Sequence, residues 1–372
     1  MLDNNELLIK DIATINVGDL EFGKANLADK FDLDLLNKEV AEEKIDRRDS
    51  GELSLFKYSD LAMVNWSWTP TNMRTRGLII DSNNDIIARG FNKFFNYDQL
   101  IDLGVDVDVN ENGVIMDKLD GSLGIAFKHN GKWIVSTAGS LRSEQAIFAT
   151  KLMNEKYADT PYIEGKSILV EIIYPENRVV TDYNGLSDLV LLGATDNNGF
   201  WISPDDVEWD GLRTDKKRGS IKDALEAKDP EDGTEGFVIR TDSGLMVKVK
   251  FPHYLELHRS WLHVSINKVY HSMIFGNYET MLLGTPDEFA DDMKSYHDEI
   301  MSAHDKIVAD VDEFGATIPT ELDRKQQALW VREQNVPKHI KGLAMSKYVA
   351  GLDIKISAIR SAKKLGLLKK VS

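Results

Sequence analysis

From Arg76 to Lys250 the chain repeats one local pattern: a short run of branched or aromatic residues, a turn of Asn, Asp, Ser or Gly, and a second such run. Arg76–Asp81 and Asp85–Arg89 flank Ser82-Asn83-Asn84. Lys128-His129-Asn130-Gly131-Lys132 precedes Trp133–Ser136, and Asn197-Asn198 joins Leu189–Thr195 to Gly199–Ile202. Asp242-Ser243-Gly244 joins Gly236–Arg240 to Leu245–Lys250. Such spacing closes antiparallel hairpins and does not alternate strand with helix as a doubly wound parallel sheet requires. Helices are sparse in this stretch: one opens at Ser143, its cap candidate, and runs to about Tyr157, and a short one covers Ile221–Lys228. After about Tyr254 the strand pattern fades. Helical periodicity then covers 256–283, 286–313, 320–335, 337–350 and 353–366, with Pro286, Pro319 and Pro337 as punctuation and Asp287, Thr320 and Asp353 at cap positions. The expected architecture is α+β: an antiparallel-sheet domain over residues 1–254, then an all-helical domain over residues 255–372.

Composition narrows what such a chain can do. No run of about 18 apolar residues exists, so no membrane-spanning helix is expected. Met1–Glu6 lacks the basic start and apolar core of a signal peptide. There are no cysteines, which excludes disulfides and thiolate metal sites and fits a reducing, cytoplasmic setting. His253, His258 and His263 fall five apart and do not share a helical face, so they read as structural or solvated. Net charge is −16, which rules out adhesion to nucleic acid by bulk charge. The distribution is uneven: Val331–Ser372 holds ten Lys/Arg against two acids, Glu333 and Asp353. A basic end on an acidic body is compatible with a phosphate-binding face, and equally with a solvated helical surface.

Lys118-Leu119-Asp120-Gly121-Ser122 stands between two strand-like runs, Gly113–Met116 and Leu123–Phe127. A lysine at a strand end, followed by a tight Asp-Gly turn, can present its amine to a bound nucleotide while the turn brings backbone close to the ligand. The same five residues also make an ordinary hairpin with a solvated lysine. Downstream, Glu171 interrupts the apolar strand Ser167–Ile173, Glu235 precedes the strand at Gly236, and Lys248 and Lys250 share one strand face. Upstream, Arg76 and Lys93 supply cations near strand ends. Singly, each has a bland reading: an edge-strand glutamate, a turn, the polar side of an alternating strand. Their conjunction in this order is uncommon.

That order resembles the covalent nucleotidyltransferase superfamily of ATP-dependent DNA ligases, RNA ligases and mRNA capping enzymes, and within it the RNA ligase 1 family of tailed bacteriophages. Besides the motifs above, the resemblance rests on Lys93-Phe94-Phe95-Asn96, Gly139–Ala146 and Pro175-Glu176-Asn177-Arg178-Val179-Val180. It covers roughly residues 60–255 and extends more weakly through the helical region. It implies an ATP-dependent RNA ligase with Lys118 as nucleophile, assisted by Lys248, Lys250 and Glu235. It implies a nucleotide site of Arg76, Lys93, Asp120, Gly121, Glu171, Glu235, Lys248 and Lys250. Mg²⁺ or Mn²⁺ would bind at Glu171 and Glu235, with Asp287 and Glu288 for a second ion. The implied partner is RNA with 5′-phosphate and 3′-hydroxyl ends, tRNA among them, handled by a monomer without a membrane in the cytoplasm of an infected cell. One departure is Ala138, where the family usually has lysine. The rivals are a DNA ligase or capping enzyme, which would carry a five-stranded barrel after Lys250, and a non-catalytic RNA-binding homologue that uses the basic end.

The chemistry expected of such a set is coherent. A lysine amine attacks phosphorus only when neutral, so its ordinary pKa of about 10.4 must fall. Nearby cations and a metal ion disfavour the ammonium, and the same cations neutralise the triphosphate as pyrophosphate leaves.

Overall fold

The computed structural model describes residues 19–230, 233–261 and 265–368. It divides into two compact units, Met1–Trp261 and Leu262–Ser372.

The first unit is built from β1 (Ile45–Ser50), β2 (Leu53–Tyr58), β3 (Leu78–Ile80), β4 (Ile86–Ala88), β5 (Phe95–Asn96), β6 (Asn112–Lys118), β7 (Ser122–His129), β8 (Lys132–Thr137), β9 (Ser167–Ile173), β10 (Asp188–Thr195), β11 (Trp201–Ile202), β12 (Lys216–Ser220), β13 (Gly236–Thr241) and β14 (Met246–Lys250). They form three sheets: β1-β2-β3-β4, β11-β10-β9-β7-β8 and β12-β6-β13-β14-β5. The named strands pair antiparallel except β5 with β14. Short turns dictate this. Between β7 and β8, Asn130 and Gly131 take φ of 50° and 77°, the paired positive angles whose twist matches a two-residue hairpin.

Strand alternation sorts the core into layers. Ile125, Phe127 and Leu169 point to one side of the second sheet, where they meet Leu55 and Ile79 of the first and Met116 and Met246 of the third. Their neighbours Ala126, Val170 and Ile172 point the other way, against the helix Glu144–Glu155. Ser143 caps that helix by accepting the Ala146 N–H at 3.2 Å. On the third sheet Ile115, Ile239 and Val247 face outward onto Leu100 and Ile221. The inner faces of the second and third sheets therefore share one apolar interior, and their ends open around it.

Two expectations need correction. The helical domain was expected to begin at residue 255, yet the helix Pro252–Trp261 spans that point and belongs to the first unit. Tyr254 packs on Val180 and Phe251 and donates its hydroxyl proton to Asp120 Oδ1 at 2.9 Å, and this contact carries the boundary past the strand pattern. The single helix expected over 256–283 is three helices, with Ile266–Phe275 and Tyr278–Leu283 following the first. Ser265 caps the second by accepting the Lys268 N–H, and Gly276, at φ 73°, ends it in the left-handed conformation that glycine tolerates.

The second unit continues with helices Asp287–Gly315, Arg324–Glu333, Lys338–Ala344 and Lys355–Lys364 around Ile307, Val311, Val331, Leu343 and Ala358. Among the described residues no strand follows Lys250, so the barrel of the DNA ligase and capping alternatives is not present there. No helix is long and apolar enough to cross a membrane among the described residues.

Candidate active site

Lys118-Leu119-Asp120-Gly121-Ser122 is not a hairpin. Lys118 ends β6, which pairs with β12 and β13, whereas Ser122 begins β7, which pairs with β8 and β9. The segment passes from one sheet to another, and a cleft of about 180 Å³ opens beside it. Arg76, Phe94, Met116, Lys118, Gly121, Leu123, Glu171, Leu192, Thr214, Val238 and Lys248 are among the residues that line it. An apolar wall with a few convergent charged and polar groups is the character of a small-molecule site.

The passage is fixed by Asp120. Its Oδ2 accepts the N–H groups of Val180 and Thr181, each at 2.7 Å, and its Oδ1 accepts from Tyr254. Its own N–H donates to the Tyr183 hydroxyl at 2.7 Å. Asp120 therefore faces away from the cleft and holds the turn in place. Gly121 is required by proximity: a Cβ there would lie 2.7 Å from the Ile172 carbonyl and 3.2 Å from Glu171 Oε1.

Strand register places the charged groups. Across three strands Lys118, Gly236 and Lys250 stand opposite one another, and so do Met116, Val238 and Lys248. Glu235, just before Gly236, puts its carboxylate between two ammonium groups: Oε2 is 2.8 Å from Lys118 Nζ and Oε1 is 2.8 Å from Lys250 Nζ. Burial pushes the Glu235 carboxyl up, but the two lysines outweigh it and hold the group below the ordinary carboxylate range. Gly236 makes this possible. Its φ is 137°, and a side chain there would strike the Val249 carbonyl at 2.1 Å.

Glu171, central in β9, has the opposite character. Burial pushes its carboxyl up to about 8, partly opposed by Lys118 and reinforced by Glu235. Arg76 and Lys248 both approach the Phe94 ring, at 5.6 and 5.2 Å from its centroid, and both line the cleft.

Lys93 was expected on the nucleotide, but it is 3 % exposed and boxed by Tyr58, Trp68 and Phe95, with Nζ 4.9 to 5.5 Å from their centroids. It does not line the cleft; its neighbour Phe94 does. The side chains of Asp287 and Glu288 lie outside the described residues. Near Ala138, the cations come from the first sheet: Arg48 Nη1 donates to the Gly139 carbonyl at 2.7 Å, and Lys57 Cδ would lie 3.5 Å from a Gly139 Cβ.

Sequence reading missed the uncharged walls. Leu192 enters the cleft at a register shift between Leu191 and Gly193 in β10, an extra residue that turns the side chain inward. Thr214 reaches it because residues 212–214 lie along Leu191. Neither has a local signature. Tyr183 and Tyr254 bind Asp120 across 63 and 134 residues of chain, and nothing in the sequence pairs them.

No metal cage of three or more acidic or histidine side chains occurs among the described residues. The donor set does suit an ion that arrives on phosphates, since Mg²⁺ keeps several waters and needs only one or two carboxylates. The Glu171 carboxyl makes no hydrogen bond or ion pair among the described residues and lines the cleft, while both Glu235 oxygens are held by lysines.

A family model described as RNA ligase matches residues 74–254. A bifunctional polynucleotide kinase/RNA ligase, named as putative, of Autographa californica nuclear polyhedrosis virus is 25 % identical over 271 residues, which cover 64 % of this chain and 36 % of that protein. An uncharacterized protein of Ostreid herpesvirus 1 is 29 % identical over 168 residues, 41 % of this chain and 40 % of that one. The chain thus spans well under half the length of these relatives. A solved archaeal ATP-dependent RNA ligase shares 14 % identity over 88 % of this chain and 77 % of its own, with a TM-score of 0.43. The matched stretch, residues 74–254, holds Lys118, Glu171, Glu235, Lys248 and Lys250, and it is there that the chain is similar to RNA ligases.

Proposed function

We propose that this protein is an ATP-dependent RNA ligase that works through a covalent lysyl-AMP. The observation that carries the reading is Lys118 Nζ on a cleft wall between two sheets, 2.8 Å from a carboxylate that Lys250 also holds, with Arg76 and Lys248 facing the same space. The deprotonated amine attacks the α-phosphorus of ATP. An N–P bond forms, the bond to the pyrophosphate oxygen breaks, and the nitrogen gives up two protons to solvent in all, one as the ammonium becomes the attacking amine and one once the N–P bond has formed. Glu235 is the carboxylate in contact with that ammonium. Lys248 and Arg76 neutralise charge on the departing pyrophosphate. A Mg²⁺ ion, brought with the nucleotide and held in part by Glu171, would add charge neutralisation at the phosphates.

AMP then passes to an RNA 5′-phosphate, and a 3′-hydroxyl displaces it to seal the strand. RNA with 5′-phosphate and 3′-hydroxyl ends is the substrate proposed, with cleaved tRNA as the particular case, and the acting form is a cytoplasmic monomer. Intact-mass measurement after incubation with ATP and Mg²⁺ tests the first half: one AMP is added to the wild type and none to Lys118→Ala. A labelled alanine variant would remove Lys118 from the role. Sealing of a 5′-phosphorylated RNA, with no sealing of the equivalent DNA, tests the second half.

A further inference from the structure

The cleft has two chemically different ends, and strand register orders them. Lys216 of β12 stands opposite Met116 of β6, Met116 opposite Val238 of β13, and Val238 opposite Lys248 of β14. Three strand spacings, roughly 14 Å, separate the β12 side from the β14 side. Cations concentrate toward β14, with Lys248 joined by Arg76 at the Phe94 ring. Toward β12 the wall includes Met116 and Leu192, with Asp117 and Thr214 as its polar residues. With phosphates on the cations, the base falls at the Thr214 end.

Thr214 is 5 % exposed, and both its protons are spent. Its N–H donates to the Leu191 carbonyl at 2.9 Å. Its hydroxyl donates to the Asp117 carbonyl at 2.9 Å, with the Asp215 carbonyl a more distant acceptor at 3.4 Å. A hydroxyl whose hydrogen is committed can offer only lone pairs. The neighbouring donors are committed too: the Asp117 N–H goes to the Asp215 carbonyl at 2.9 Å, and the Lys216 ammonium is held by Asp205 and Ser203.

We propose that Thr214 is the residue that selects adenine, its oxygen accepting from the exocyclic 6-amino group. A 6-keto purine would set its own acceptor against that oxygen, and a purine without a 6-substituent would leave it unpaired. This rests on the ligase reading above and goes beyond it by assigning the nucleotide preference to one side chain.

The test measures kcat/KM for covalent nucleotidylation with ATP, GTP and purine riboside triphosphate, the last lacking only the 6-amino group. Wild type should prefer ATP to purine riboside triphosphate roughly tenfold, the worth of one hydrogen bond. Thr214→Val should bring that ratio close to one and lower the ATP-to-GTP ratio, while Thr214→Ser, which keeps the hydroxyl, should retain both. Thr214→Ala supplies the same readout if the valine variant does not fold. An ATP-to-purine-riboside ratio equal in wild type and both hydroxyl-free variants overturns the assignment. A wild type that takes up no nucleotide at all refutes the ligase reading instead.

Discussion

Glu235 stabilises two lysines that would otherwise repel each other across β13. Removing one partner of a buried ion pair strands the charge that remains. Glu235→Ala leaves Lys118 and Lys250 facing one another and should cost about 3 kcal/mol, measured by urea unfolding. Lys118→Met with Glu235 intact should cost less, because Lys250 still pairs with the carboxylate. Glu171 behaves differently with pH. Its carboxyl, near 4.5 when unfolded and about 8 when folded, keeps its proton in the native state over that interval and loses it on unfolding. The native state binds more protons there, so this residue's contribution to stability falls as pH rises from 4.5 to 8 and is flat beyond. Glu171→Gln should therefore lose less Tm between pH 5 and pH 8 than the wild type. At this scale much was legible: Lys118, Glu171, Glu235, Lys248 and Lys250 lie around one cleft or one ion-pair row, as their order suggested. Lys93 was not legible, because in sequence it is one more strand-end cation, and only folding surrounds it with Tyr58, Trp68 and Phe95.

The strands show why legibility fails at sheet edges. β9, β10, β13 and β14 carry apolar runs and could be read directly. β1, Ile-Asp-Arg-Arg-Asp-Ser, and β12, Lys-Lys-Arg-Gly-Ser, are edge strands whose exposed polar side chains erase the alternation, a composition that also discourages pairing with foreign strands. Without β12 no sequence argument could place Thr214 in the cleft. The pair Glu235-Gly236 reads as a turn, yet Gly236 begins β13 and sits in the sheet between Lys118 and Lys250. Gly236→Ala meets both a strained φ and a carbonyl at 2.1 Å, so β14 must shift. It should lower Tm and, by displacing Lys248 and Lys250, slow AMP uptake more than tenfold, whereas alanine at the open turn position Gly131 should leave uptake unchanged.

For the whole molecule, the boundary at Trp261 makes a prediction that the sequence-based boundary at 254 would not. A chain cut after Trp261 keeps the helix that carries Tyr254 and should still take up AMP. A chain cut after Phe251 loses the Tyr254 contact to Asp120 and should not, with circular dichroism melting to show whether the loss is local or global. The α+β order and the helical second unit were readable because hairpin spacing and helical periodicity are local signals. The break of the first long helix at Gly276 was not, since an isolated glycine is tolerated inside helices and only its left-handed φ ends this one. The junction at Leu119 and Asp120 has a mechanical corollary. Two separately hydrogen-bonded sheets meet there through a covalent splice, so a nucleotide seated on Lys118 acts as a rivet between them. Deuterium uptake should then slow on ATP addition in residues 189–192 and 236–250 together, although the two segments belong to different sheets; protection confined to one would mean that the halves breathe independently.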